Sequence, residues 1–107
     1  MSHLLIRHTV EDFDAWKPYF DDHDLTRREH GQRWYRLFRS ADDPNEVTIL
    51  FEFDGDVERV TEFFESADLR ERMATAGVRG RPEVTFLQQV ERRRTPLVPP
   101  EVGVPSE

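Results

Sequence analysis

One pattern occurs twice in the chain: a segment of alternating side chains, a segment of helical periodicity, and a second alternating segment. Alternation is typical of strands, and apolar residues three to four positions apart are typical of helices. We predict strands at 4–10, 33–40, 47–54 and 83–91, and helices at 12–30 and 56–76. The order βαββαβ predicts an α+β fold with a four-stranded antiparallel sheet and both helices on one face.

The predicted helices carry capping signals. Asp12 is a candidate N-cap for the first helix, and Gly31 is a natural terminator. Pro18 lacks an amide donor and disfavours helical geometry in the residue before it, so we expect a short turn at 13–16 followed by the main helix. In the second helical segment, Ser66 is expected to cap a second, shorter helix after a break.

The length of 107 residues fits one domain, which we place at 1–91. The segment 92–107 holds four of the seven prolines, a basic triplet at 92–94 and no apolar periodicity. Such a segment is expected to be either an extended arm across a partner subunit or a disordered terminus, and the sequence leaves both open.

Charge and composition exclude several partners. A formal net charge of -7 argues against nucleic acid, which requires a basic face. No apolar stretch approaches the roughly 18 residues that span a bilayer, and the first residues lack a signal-peptide pattern, so we expect no membrane partner and a cytoplasmic location. Cysteine is absent, and the five glycines form no phosphate loop or dinucleotide fingerprint, so no nucleotide cofactor is expected.

The face of the predicted sheet that lacks helices is chemically mixed. On the third strand it would carry Thr48, Leu50 and Glu52, opposite to the side that faces the helices. A half-apolar open face is commonly covered by another subunit. We therefore expect a homodimer formed through this face, with the two sheets enclosing a shared barrel.

The first helix carries a stripe of aromatic and titratable side chains that should face the sheet. Its members are Phe13, Trp16, Phe20, His23 and Arg27. His8 lies on the strand side that the helices should cover, so the two histidines are expected to approach each other beneath the first helix. This arrangement predicts a pocket with aromatic walls and two titratable groups.

The chemistry of such a pocket defines the candidate residues. His8 and His23 are the catalytic candidates, because a histidine titrates near neutral pH and can remove a proton from a phenol or an enolisable carbonyl. The anion that results would be held by an arginine. The substrate-binding candidates are Trp16, Phe20, Arg27 and Arg36. The histidines form no metal-ligand motif, so no metal is expected. The alternative is that both imidazoles and both rings are ordinary core residues.

Four segments resemble the dimeric α/β-barrel superfamily, and within it the proteins similar to antibiotic biosynthesis monooxygenases. They are residues 5–8, 13–18, 42–47 and 64–70. The resemblance covers roughly residues 3–91 and implies a ferredoxin-like fold, a homodimer and a small-molecule ligand. The haem-degrading branch is not expected, because 56–76 contains neither histidine nor asparagine. An asparagine-assisted oxygenase site also lacks a counterpart, since the sole asparagine, Asn45, falls in a predicted turn.

Two functions follow as hypotheses. The first is a cofactor-independent monooxygenase or cyclase-like enzyme that acts on small aromatic or polyketide-like compounds. The second is a non-catalytic binding or accessory module. The first requires a cavity that at least one of the two histidines lines, whereas the second is favoured by histidines that are packed and fully hydrogen-bonded.

Overall fold

The computed structural model describes residues 1–96 and contains four strands and four helices. In chain order these are β1 (Ser2–Val10), α1 (Phe13–Asp22), α2 (Asp24–Glu29), β2 (Gln32–Arg39), β3 (Glu46–Phe53), α3 (Val57–Phe64), α4 (Ala67–Thr75) and β4 (Val78–Leu87). The predicted βαββαβ order is confirmed, with each predicted helix divided into two.

The strands form one antiparallel sheet in the order β2-β3-β1-β4. The fold is therefore α+β and ferredoxin-like, as predicted. In the central pair, Ile6 lies opposite Ile49 and His8 lies opposite Val47, so these side chains point to the same face. All of the helices cover this face, and the opposite face is open.

The core between sheet and helices consists mainly of branched aliphatic residues on β1 and β3 and of aromatic rings. Its buried members are Leu4, Ile6, Val10, Trp16, Phe20, Val47, Ile49, Phe51, Phe53, Val60, Phe63 and Leu69. The rings of Phe51, Phe53, Phe63 and Phe64 contact one another with centroids between 5.1 and 6.2 Å apart. Large rings thus supply much of the packing in a chain of low mean hydropathy.

The break in the first helical segment lies at His23 and not at Pro18. The prediction of a turn at 13–16 was wrong, because α1 runs from Phe13 through Pro18 to Asp22. A proline at this position removes only the hydrogen bond to the carbonyl of Asp14 near the helix start. Burial of Trp16 on one side of the proline and of Phe20 on the other offsets this loss. The predicted N-cap is confirmed: the Asp12 side chain accepts a hydrogen bond from the Asp14 amide.

The break in the second segment lies where Ser66 predicts it. The Ser66 hydroxyl accepts a hydrogen bond from the Leu69 amide at 3.3 Å and caps α4. The last strand differs from its prediction, which placed it at 83–91. It begins at Val78, opposite Val10, and includes a register shift and Gly80 at φ +66. Alternation is lost over these first residues, and Pro82 is tolerated because β4 is an edge strand.

The open face of the sheet carries large apolar side chains around a charged group. Trp34, Phe38 and Leu87 are exposed there. Glu52 accepts a hydrogen bond from Nε2 of His3 at 2.9 Å, and Arg33 lies 3.5 Å from the other Glu52 oxygen.

Residues 92–96 form no helix or strand, and the rest of the predicted tail, 97–107, lies outside the described residues. Over the described part of the chain, every helix is too short and too polar to cross a bilayer.

The start of β2 depends on a glycine. Gly31 has φ +104, and a Cβ there would lie 2.5 Å from the carbonyl oxygen of Asp54. The Gly31 carbonyl also accepts a hydrogen bond from the Asp54 amide at 2.7 Å. The loop after α2 therefore passes directly against the end of β3.

We expect Gly31→Ala to lower the free energy of unfolding by about 2 kcal/mol more than Gly80→Ala, measured by urea denaturation. Both glycines have positive φ, but a Cβ at Gly80 meets nothing within 4 Å. Equal losses in the two variants would contradict the close contact at Asp54.

Candidate functional site

A pocket of about 420 Å³ lies between the helices and the sheet. Its floor is formed by β1 and β3, and its walls are α1 and α2 on one side and α4 on the other. The floor residues are Ile6, His8, Ile49 and Phe51. The volume is in the range of pockets that bind small organic molecules.

One wall of the pocket is an aromatic stack. The rings of Trp16 and Phe20 are nearly parallel, with centroids 4.9 Å apart. Phe20 contacts the edge of Tyr35 at 5.2 Å, and Trp16 meets His8 in a T-shaped contact at 5.5 Å. The stack is fixed by its neighbours and gives the pocket an apolar, aromatic wall.

His8 lies on the pocket floor and is half-buried, with both of its ring nitrogens out of contact with water. Neither of its ring nitrogens has a hydrogen-bond partner among the described residues. Burial lowers the pKa of His8 from 6.5 to about 4, because the protonated ring would be charged in an apolar environment. At neutral pH the ring is therefore neutral, and one of its nitrogens is an available acceptor.

His23 lies at the junction of α1 and α2, and only 7% of its surface is exposed. Its ring stacks on Phe63 at 6.1 Å, and its Nε2 has no partner in the described part of the chain. The pKa of His23 is lowered, mainly by burial and then by the positive charges of Arg72 and Arg27, while Asp68 acts in the opposite direction.

Arg27 brings a charge into the pocket and is 3% exposed. Its Nη1 donates to the carbonyl of Phe20 at 2.9 Å, and its Nε donates to Oε1 of Gln32 at 2.7 Å. The guanidinium lies over the Phe20 ring at 3.8 Å. Its Nη2 has no hydrogen-bond partner within residues 1–96, and the carboxylate of Asp24 is 3.6 Å away.

The unsatisfied Nη2 suits an anion. Burial lowers the pKa of Arg27, but a guanidinium stays protonated in proteins. Asp24 partly compensates the charge at 3.6 Å, but a buried N–H donor that lacks a hydrogen bond is still costly. An acidic group of a ligand in the pocket would satisfy it.

Most of the predicted site residues meet in this pocket. The pocket is lined by His8, Trp16, Phe20, His23 and Arg27. Arg36 does not join them: it lies on the open face, opposite Leu50, with its guanidinium 5.7 Å from the Trp34 ring. Successive side chains of β2 point to opposite faces of the sheet. Tyr35, which is paired with Phe51, faces the helices, so Arg36 points to the open face.

The sequence gives little sign of the remaining pocket residues. Leu69 and Met73 of α4 line the pocket, and Asp68, Glu71 and Arg72 add charged groups to it. The cap at Ser66 predicts the helix but not its orientation above the sheet. Gln32, which orients Arg27, carries no recognisable signal.

Within residues 1–96, no group of three or more histidine or acidic side chains is arranged to hold a metal ion. The single asparagine has a structural role. Its Oδ1 accepts from the Phe13 amide at 2.9 Å, and its Nδ2 donates to the Glu11 carbonyl, so Asn45 supports the start of α1.

Solved structures share this fold at low sequence identity. An antibiotic biosynthesis monooxygenase is 18% identical, with a TM-score of 0.65 over 85% of this chain and 100% of the other. Rv0793 from Mycobacterium tuberculosis is 21% identical, with a TM-score of 0.60 over 88% and 100%. A variant of SnoaB, a cofactor-independent oxygenase from Streptomyces nogalater, is 14% identical, with a TM-score of 0.65 over 85% and 94%.

These likenesses confirm that the chain has the ferredoxin-like fold of antibiotic-biosynthesis-monooxygenase-like proteins. No protein-family model matches the sequence, and no curated protein matches it. At these identities the likeness concerns the fold, and the chemistry of the pocket has to be argued from its own residues.

The pKa of His8 makes stability depend on pH. Well above pH 6.5 the histidine is neutral in both the folded and the unfolded chain, so its ionisation does not affect stability. As the pH falls below 6.5 the unfolded chain takes up a proton that the folded chain accepts only near pH 4, so stability is lost. Between pH 7.5 and 5 the loss due to His8 is about 2 kcal/mol.

We expect the His8→Leu variant to lack this loss of unfolding free energy between pH 7.5 and pH 5. The measurement is the difference in unfolding free energy between the wild type and this variant at pH 7.5 and at pH 5, which cancels the carboxylates common to both proteins. A difference that does not change with pH would mean that His8 titrates normally in the folded protein.

Proposed function

We propose that the protein binds a small aromatic or polyketide-like compound in the pocket between helices and sheet and oxidises it as a cofactor-independent oxygenase. The proposal rests on buried polar atoms that have no hydrogen-bond partner within residues 1–96 and that belong to side chains lining one aromatic-walled pocket. They belong to His8, His23 and Arg27. Buried polar atoms without partners are rare in folded proteins, and a ligand with matching polar groups explains all three residues.

The first step is a proton transfer. A ring hydroxyl or an activated C–H group of the substrate gives its proton to a neutral imidazole nitrogen of His23 or His8, and the electron pair stays in the conjugated ring system as an enolate. Nη2 of Arg27 donates a hydrogen bond to the enolate oxygen and so stabilises the negative charge that develops there.

The second step uses dioxygen as the oxidant. The enolate transfers an electron to dioxygen, the two radicals combine in a new C–O bond, and the peroxide takes the proton back from the imidazolium. Loss of water then leaves a carbonyl group. With anthrone as a simple substrate, anthrone and dioxygen give anthraquinone and water, so the balance requires no further reductant.

One observation favours binding without catalysis. A histidine with a pKa of about 4 is a weak base, so His8 by itself is poorly matched to a substrate that ionises near pH 10. In this alternative the pocket holds an acidic aromatic ligand at Arg27, and the imidazoles only accept hydrogen bonds from it.

The test is oxygen uptake with anthrone in the presence of EDTA and without added cofactor. We expect turnover by the wild type and a loss of about 100-fold in His23→Gln or Arg27→Met. His30→Gln and Arg28→Met are the matched controls, because both residues are exposed and neither lines the pocket. Binding of anthrone without oxygen uptake would support the alternative, and no binding at all would contradict both functions.

We further propose that the protein is a homodimer joined through the open faces of its sheets. Five large apolar side chains support this, since an isolated subunit leaves them wholly or partly in contact with water. They are Leu5, Trp34, Phe38, Leu50 and Leu87. Pairing of two such faces would also bury the ion pair between His3 and Glu52.

Leu50→Arg is expected to give monomers or insoluble protein, because two charges would be brought together at the centre of the paired faces. The control is Leu25→Arg, a substitution of a leucine exposed on α2. Light scattering coupled to size-exclusion chromatography measures the mass. An unchanged dimer in Leu50→Arg, or a monomeric wild type, would contradict this interface.

A further inference from the structure

Helix α4 makes few buried contacts with the rest of the protein. Leu69 is the only buried residue among the nine of this helix. A pocket lies on each side of α4, so this helix covers the sheet without filling the space between helix and sheet. Helices held by few buried contacts are the elements that move most readily when a ligand enters.

The second hollow, of about 360 Å³, lies between α3, α4 and the edge strand β4. Val84 and Phe86 form its floor, next to Pro82. On this strand Val84 pairs with Ile6 and Phe86 pairs with Leu4, so both face the helices. Within residues 1–96 this second chamber has no histidine; its floor is apolar, and Glu65, Arg70 and Arg81 also line it.

The two chambers adjoin each other beneath α4. Ile6, Phe64 and Met73 line both of them. Ile6 forms the common floor, and Met73 descends from the helix above it. Met73 is half-buried and unbranched, and such a side chain changes rotamer at little cost and adapts to an apolar ligand. The boundary between the chambers is thus formed by the side chains of Phe64 and Met73 above Ile6, and Met73 is the adaptable one of the two.

We infer that the ligand is an aromatic acid or enol with an extended apolar arm, and that the arm passes Met73 into the second chamber. This inference rests on the proposed function, because it places the ring against Trp16 and Phe20 and the acidic group at Arg27. The arm then lies under α4 and ends against Val84 and Phe86. Met73 and Val84 determine the length of the ligand and take no part in the chemistry.

The inference is tested with 4-alkylbenzoates of increasing chain length, from methyl to octyl, by isothermal titration calorimetry. The carboxylate and ring occupy the first chamber in every member, and only the alkyl arm varies. We expect binding to become about three- to fourfold tighter for each added methylene group, because each one leaves water for an apolar surface. The gain should continue to the longest arms.

Val84→Trp is expected to stop this gain at short arms while leaving 4-methylbenzoate unchanged, because the indole fills the far chamber. Val57→Trp is the matched control: this valine at the start of α3 has a similar exposure, 48% against 41%, and lines neither chamber. Met73→Phe should weaken the long arms in the same way, which gives a second variant should Val84→Trp fold poorly.

Constant affinity along the series in the wild type would overturn the inference, as would equal losses for short and long arms in Val84→Trp. Failure of every alkylbenzoate to bind would overturn it as well. Oxygen uptake with anthrone, which has no arm, reports separately on the proposed function.

Discussion

The insertion of Arg27 beneath the end of α1 is the interaction on which the site depends. Because the helical segment breaks at His23, the carbonyl of Phe20 lies in the last turn of α1, where no following amide satisfies it. Nη1 of Arg27 takes this place, and the guanidinium stacks on the Phe20 ring. The charge complements the negative end of the helix dipole, which helps to offset its desolvation. One pocket-lining residue thus closes the helix end, supports the aromatic wall and keeps one N–H donor without a hydrogen-bond partner within residues 1–96.

The pocket results from how the two helical pairs share one face of the sheet. In the first pair Phe20 packs on Tyr35 of β2 and Phe51 of β3, and Trp16 contacts His8 of β1. Helix α4 contributes only Leu69 to the buried core. The space above β1 therefore stays partly open, and His8 is the polar residue on its floor. A tighter second pair would have buried His8 completely and left no cavity. The loose packing that lowers the stability of this region is the same feature that makes room for a ligand.

The sequence was informative where a local pattern has a local cause. Alternation on the central strands, the caps at Asp12 and Ser66, and the stripe from Trp16 to Arg27 led to the fold and to five of the pocket residues. Prediction from the sequence failed where a tertiary contact determines the local structure. Burial of Trp16 and Phe20 keeps α1 intact through Pro18, and the irregular start of β4 hides its alternation. The sequence does not indicate that Tyr35, and not Arg36, faces the helices. Aromatic and charged residues occur on both sides of β2, so its alternation favours neither side.

In the proposed complex, Arg27 and the two histidines line the part of the pocket that holds the acidic group of an aromatic ligand. A crystal structure of the protein with 4-octylbenzoate tests this arrangement. We expect a carboxylate oxygen within hydrogen-bonding distance of Nη2 of Arg27, a ring against Trp16 and Phe20, and an alkyl chain beyond Met73. A ligand bound elsewhere, with the pocket closed and Nη2 of Arg27 bonded to a protein oxygen, would contradict it.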